Sequence, residues 1–156
     1  MVTVSRGYTT LHPGDVVLAL RGDRLQTLLG SCVAVVLTDP RRTLGVMCHI
    51  VHARPALHRQ HASAAYADVA LQTMVDLLQA RGIVASKCLA YVYGGGHMFP
   101  HLSPGASVGD NNVNWVRQSL DEMGVRLLKV DTGGAVYRQL RWTVGPEAPK
   151  TVAVPL

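Results

Sequence analysis

The sequence predicts an α+β fold in which strands dominate, and three observations carry that expectation. Six short apolar or alternating runs recur along the chain, two longer segments repeat apolar residues at helical spacing, and 48% of the 156 residues are hydrophobic. That apolar share is enough to build a sizeable core in one domain spanning residues 1–156.

The strand candidates, in order, are residues 15–20, 32–37, 44–51, 87–93, 126–131 and 138–144. The first helix is expected from Ser63, with Tyr66, Val69, Ala70, Thr73, Met74, Leu77 and Leu78 on one face and Arg81-Gly82 as its stop. A second helix is expected from a cap at Asn111 or Asn112, with Val113, Val116, Leu120 and Met123 facing inward and Gly124 ending it. Residues 52–62, rich in His, Arg, Pro and Ala without a period, read as a loop, and the tail after Gly145-Pro146 carries few core signals.

Composition narrows the function classes. No apolar run approaches the length of a membrane-spanning helix. Met1 to Arg6 lacks the apolar stretch of a signal peptide, so a cytoplasmic protein without membrane insertion is expected. Cys32, Cys48 and Cys88 form an odd set without disulfide-framework spacing, which suits free thiols in a reducing compartment. The formal charge of +5 favours acidic partners. Scattered arginines and 5% aromatic residues do not make a nucleic-acid surface.

The chemistry concentrates around Cys32. Gly30 and Ser31 form a small, flexible turn directly before the β-branched run Val33 to Val36, placing a thiol at a strand entrance with approachable backbone N–H groups as an oxyanion hole. His49 ends the next candidate strand. If residues 39–42 turn a hairpin, His49 comes level with Cys32, takes its proton, and as imidazolium holds a thiolate ready for attack on an amide. A third group usually orients such an imidazole: Thr27 is one candidate, for orientation or substrate binding, and Asp110 and Asp131 are others. Cys48, Cys88, Trp115 and Trp142 read as packing residues.

Two rival readings draw on other residues. Cys48, His49, His52, His58 and His61 lie close enough in sequence to form a zinc site. Gly94, Gly95 and Gly96 could present N–H groups to phosphate in a binding or adaptor module, although the Lys-Ser/Thr of a P-loop is missing.

Thr27, Gly30, Ser31, Cys32, Val33 and Val35, followed by Asp39, Gly45 and His49, resemble the chemoreceptor glutamine deamidase family, CheD. Pro13-Gly14-Asp15, Tyr66-Ala67-Asp68, the glycine loop from Gly94 to Phe99, the segment from Val108 to Val113 and Asp131-Thr132-Gly133-Gly134 are similar to further family signatures, in order along the chain. The resemblance implies packed mixed β-sheets flanked by helices, similar to cysteine-dependent deamidating toxins. It also implies a catalytic Cys32 and His49 with Thr27 assisting, and Gly30, Ser31, Gly94 and Gly95 around substrate and oxyanion. No cofactor or metal is implied. The expected substrate is glutamine on the cytoplasmic helices of chemoreceptors, and the expected regulatory partner is a CheC-type phosphatase. His52 and Arg54 after the catalytic histidine, and His97 in the glycine loop, depart from the family pattern.

Overall fold

The computed structural model describes residues 1–54, 63–102, 105 and 107–156. Among the described residues, ten strands and two α-helices follow one another: β1 (Thr3–Ser5), β2 (Tyr8–Thr10), β3 (Val16–Leu20), β4 (Arg24–Leu29), β5 (Val33–Thr38), β6 (Leu44–Ile50), α1 (Ala67–Gln79), β7 (Leu89–Gly94), α2 (Val108–Glu122), β8 (Arg126–Thr132), β9 (Val136–Thr143) and β10 (Lys150–Pro155). They form two five-stranded sheets, ordered β1-β2-β4-β9-β10 and β3-β6-β5-β7-β8. Each is mixed, since β2 with β4 and β7 with β8 run parallel while the other neighbours run antiparallel.

Strand periodicity sorts the second sheet's side chains into two cores. Val33, Val35, Leu37, Val46, Cys48, Ile50, Ala90 and Val92 pack beneath the helices against Ala70, Leu71, Met74, Leu78, Val113, Val116 and Leu120. Each fully buried aliphatic side chain there contributes about 1.5–3 kcal/mol. Their neighbours Ala34, Val36, Met47, Tyr91 and Tyr93 face the first sheet, meeting Leu25, Leu29, Leu140 and Trp142. The layers are therefore helices, sheet, sheet. Gly45 of β6 allows this contact, because a Cβ there would run into the Trp142 ring.

The anticipated hairpin is present: β5 and β6 pair antiparallel, and Asp39 closes their turn by accepting from the N–H groups of Thr43 and Leu44 and from the Thr43 hydroxyl. Several boundaries differ from the sequence expectations. Helix α1 starts at Ala67, after a turn from Ser63, and α2 starts well before Asn111. The cap of α2 is Ser107, whose hydroxyl accepts from the Asp110 N–H while the Asp110 carboxylate accepts from the Ser107 N–H. Strands β1, β2, β4 and β10 were not anticipated. The tail supplies β10, an edge strand whose exposed side chains left no core signature.

Candidate active site

Between the two sheets Thr27 meets His49, and Cys32 packs on the same intersheet cluster. Strand β4 alternates inward Leu25, Thr27 and Leu29 with outward Gln26 and Leu28, so Thr27 points between the sheets and is buried. Its hydroxyl lies 2.8 Å from the Leu11 carbonyl, to which it donates, and 2.7 Å from His49 Nδ1. A hydroxyl has one hydrogen, and Leu11 receives it. His49 Nδ1 must then be the donor to Thr27, which leaves the lone pair on Nε2.

The backbone of His49 is clasped by a second segment. Gly14 donates to the His49 carbonyl at 2.9 Å, and the His49 N–H donates to Asp15 at 3.1 Å, so the Pro13-Gly14-Asp15 turn is a splint along the edge of β6. In the ladder His49 stands opposite Ala34, not Cys32 as the hairpin reading had it. Cys32 is two residues from Ala34. It packs on the same intersheet cluster, partly exposed, so thiol and imidazole share one face.

Cys32 sits just ahead of β5, and the glycine loop holds its turn: Gly95 donates to the Cys32 carbonyl and Gly96 to the Gly30 carbonyl, each at 2.8 Å. Gly94, at φ +109°, has no room for a side chain because a Cβ would meet the Cys32 carbonyl. The loop is held in turn by Arg138. This guanidinium, 5% exposed, donates to the carbonyls of Gly94 and Gly133 and to the Asp131 carboxylate, which also accepts from Thr151. Asp131 therefore braces the loop, and Asp110 caps α2; neither orients His49. The Ser31 carbonyl accepts from Asn112 of α2.

Burial sets the protonation states. It pushes the Cys32 thiol up from its ordinary value and His49 down to about 4, the Asp15 charge opposing the second shift only partly. Burial therefore favours the neutral thiol and the neutral imidazole.

The rival sites fare differently. Cys48 and His49 are successive strand residues, the first packed beneath the helices and the second between the sheets, so they point away from one another. The His52 ring lies against Tyr66 at 4.8 Å, while His58 and His61 lie outside the described residues. Gly95 and Gly96 spend their N–H groups on Cys32 and Gly30, which removes the phosphate cradle imagined there. Arg138 and Asn112 were missed from sequence. Asn112 had a signal, since it falls in phase with the buried positions Gly109, Val113, Val116 and Leu120.

Fold and site together define a two-sheet α+β protein in which a buried histidine–threonine pair and a partly exposed cysteine face the same intersheet core. Residues 53–146 match the family model described as CheD chemotactic sensory transduction, a segment beginning just beyond His49. Among relatives, a Pseudomonas savastanoi pv. phaseolicola protein named "Probable chemoreceptor glutamine deamidase CheD" is 33% identical over 133 residues, covering 83% of this chain and 75% of the relative. A Thermotoga maritima protein named "Chemoreceptor glutamine deamidase CheD" is 34% identical over 116 residues, covering 74% of this chain and 72% of its own. In architecture, the chain is similar to a Neisseria meningitidis protein of the DUF152 family, with a TM-score of 0.51, 16% identity, and coverage of 84% of this chain and 65% of the other. The chain belongs to the CheD family.

Proposed function

We propose that this protein is a chemoreceptor glutamine deamidase, converting glutamine side chains on receptor cytoplasmic helices to glutamate, with Cys32 as nucleophile, His49 as base and Thr27 as the group that orients His49. The single observation that carries the residue assignment is the Thr27–His49 hydrogen bond, because it leaves the Nε2 lone pair free as a proton acceptor.

The Cys32 Sγ–H proton passes to His49 Nε2 as sulfur bonds to the glutamine Cδ, and the carbonyl electrons move onto oxygen. Backbone N–H groups of the Gly30–Cys32 turn hold that oxyanion. As the tetrahedral centre collapses, His49 returns the proton to the departing nitrogen, and ammonia leaves a thioester. Water then gives a proton to His49 and attacks the thioester carbon. The C–S bond breaks, the thiol recovers its proton, and glutamate is released. Every step uses groups of the chain, substrate and water.

Among the described residues no helix is long and apolar enough to cross a membrane, and the proposed site of action is the cytoplasmic side, where the receptor helices lie. A CheC-type phosphatase is the regulatory partner proposed from the family resemblance; co-elution of the two purified proteins tests it. The reaction is tested by intact-peptide mass spectrometry of receptor cytoplasmic fragments incubated with the wild type and with Cys32→Ala. Gln-to-Glu conversion by the wild type alone is expected. Equal conversion by a folded Cys32→Ala protein would sink the assignment of the nucleophile.

A further inference from the structure

We propose that Asn112 is a positioning residue that locks the nucleophile's turn to the strand end carrying His49. This inference rests on the reading of Cys32 and His49 as the reacting pair. The β5–β6 ladder ends at the pair Val33 and Ile50. Beyond it the chains part, the Val51 N–H turning away to the Ala65 carbonyl. Cys32 lies on the parting side, one residue outside the ladder, so no β5–β6 pairing fixes it against His49.

One side-chain amide fills that gap. Asn112 Nδ2 donates to the Val51 carbonyl at 3.1 Å and reaches the Ser31 carbonyl at 3.4 Å, while Oδ1 accepts from the Ala53 N–H at 2.8 Å. Ser31 adjoins the nucleophile, and Val51 lies two residues beyond the base. The amide is 2% exposed, and its two hydrogens and its oxygen are all engaged. Its helix is fixed in turn: Ser107 and Asp110 cap α2, and Gly109 packs directly on Gly95, whose N–H holds the Cys32 carbonyl. Only a group with two donors and one acceptor satisfies these partners. A carboxylate of the same shape would set negative charge against two carbonyl oxygens, and burial would favour its protonated form, which can donate one of the two bonds.

The test compares wild type, Asn112→Asp and Asn112→Ala, each checked for a cooperative melt. Two rates are followed between pH 5.5 and 8.5: alkylation of Cys32 by iodoacetamide, read by peptide mass spectrometry, and kcat and KM for Gln-to-Glu conversion on receptor fragments. At pH 8 Asn112→Asp is expected to lower Cys32 alkylation and kcat about tenfold, the scale of one or two lost hydrogen bonds, with KM little changed. Relative to wild type, both rates of Asn112→Asp recover in part as pH falls and the carboxyl gains its proton, whereas Asn112→Ala stays slow throughout. Should Asn112→Asp not fold, the alkylation rate and kcat of Asn112→Ala decide alone. Folded variants with wild-type rates, or an Asn112→Asp deficit that does not change with pH, would overturn the proposal. A wild type that converts no glutamine would overturn the deamidase reading, and the alkylation rates, which need no receptor, would still decide on Asn112.

Discussion

The two faces of the central sheet are built from the same strands yet do opposite things. On the helix side, every row from Val33 to Ile50 is apolar and closed by α1 and α2, and even the thiol there, Cys48, is wholly buried and pushed up to about 12. On the side facing the second sheet, Met47, Val36 and Trp142 continue the apolar core, and at one end of that layer His49 meets Thr27 while Cys32 is partly exposed. A cysteine on one face is filler and on the other has a base within its layer. Position relative to the sheet's open end, not residue type, separates them.

The largest expected effect sharpens that contrast at His49. Replacing it with Gln removes the base and should lower kcat on the order of 10²- to 10⁴-fold. It should also change how stability responds to acid. His49 takes up its proton near pH 4 when folded but near its ordinary 6.5 when unfolded. Between those values the unfolded chain binds more protons, so the wild type is fully stabilised above about pH 6.5 and loses up to about 3 kcal/mol as pH falls towards 4. The His49→Gln protein should lack that component, visible as a smaller difference between urea midpoints at pH 7 and pH 4.5. Parallel loss in both proteins would contradict the burial-driven shift.

The opposite face should break differently. Met74 of α1 is fully buried beneath the sheet, and Met74→Ala should cost about 2–5 kcal/mol of unfolding free energy. Turnover per folded molecule should nevertheless stay near the wild-type value at a temperature where both proteins are folded. A selective fall in kcat would mean that the helix-side core also tunes the site.

Legibility in the sequence followed the same division. Strands β5, β6 and β7, buried on both faces, announce themselves as continuous apolar runs, as does the helical phase of Met74 and Leu78. Cys32 and His49 were readable because each borders such a run. Strand β4 was not readable: Leu25, Thr27 and Leu29 alternate with Arg24, Gln26 and an outward Leu28, so its period is blurred and a hydroxyl occupies its central inward position. The chemistry of Thr27 depends on that strand crossing to the other sheet, which no local pattern encodes. Asn112 looked like a cap because asparagine favours helix starts, while the actual capping box, Ser107 with Asp110, lay five residues earlier. Arg138 was hidden for a simpler reason. An arginine in a strand signals exposure unless its partners are known, and here they are the carbonyls of Gly94 and Gly133 and the Asp131 carboxylate.

The smallest effect is the most discriminating, because it separates orientation from chemistry. Thr27 never loses or gains a proton in the proposed cycle; it accepts from His49 Nδ1 and donates to Leu11. Thr27→Ser keeps both bonds and should keep most of kcat. Thr27→Val preserves the shape but removes the acceptor, leaving the imidazole free to place its hydrogen on Nε2, where it cannot take the thiol proton. The loss should be about fivefold, the scale of one net hydrogen bond of roughly 1 kcal/mol, and should fall on kcat more than on KM. The nitrogen-15 shifts of His49 give an independent readout: an Nδ1–H imidazole in the wild type and in Thr27→Ser, and a mixture of tautomers in Thr27→Val. If all three proteins carried the Nδ1–H form and Thr27→Val were still slow, Thr27 would instead be contacting substrate, and the open end of the intersheet layer would extend one strand further than the Cys32–His49 pair.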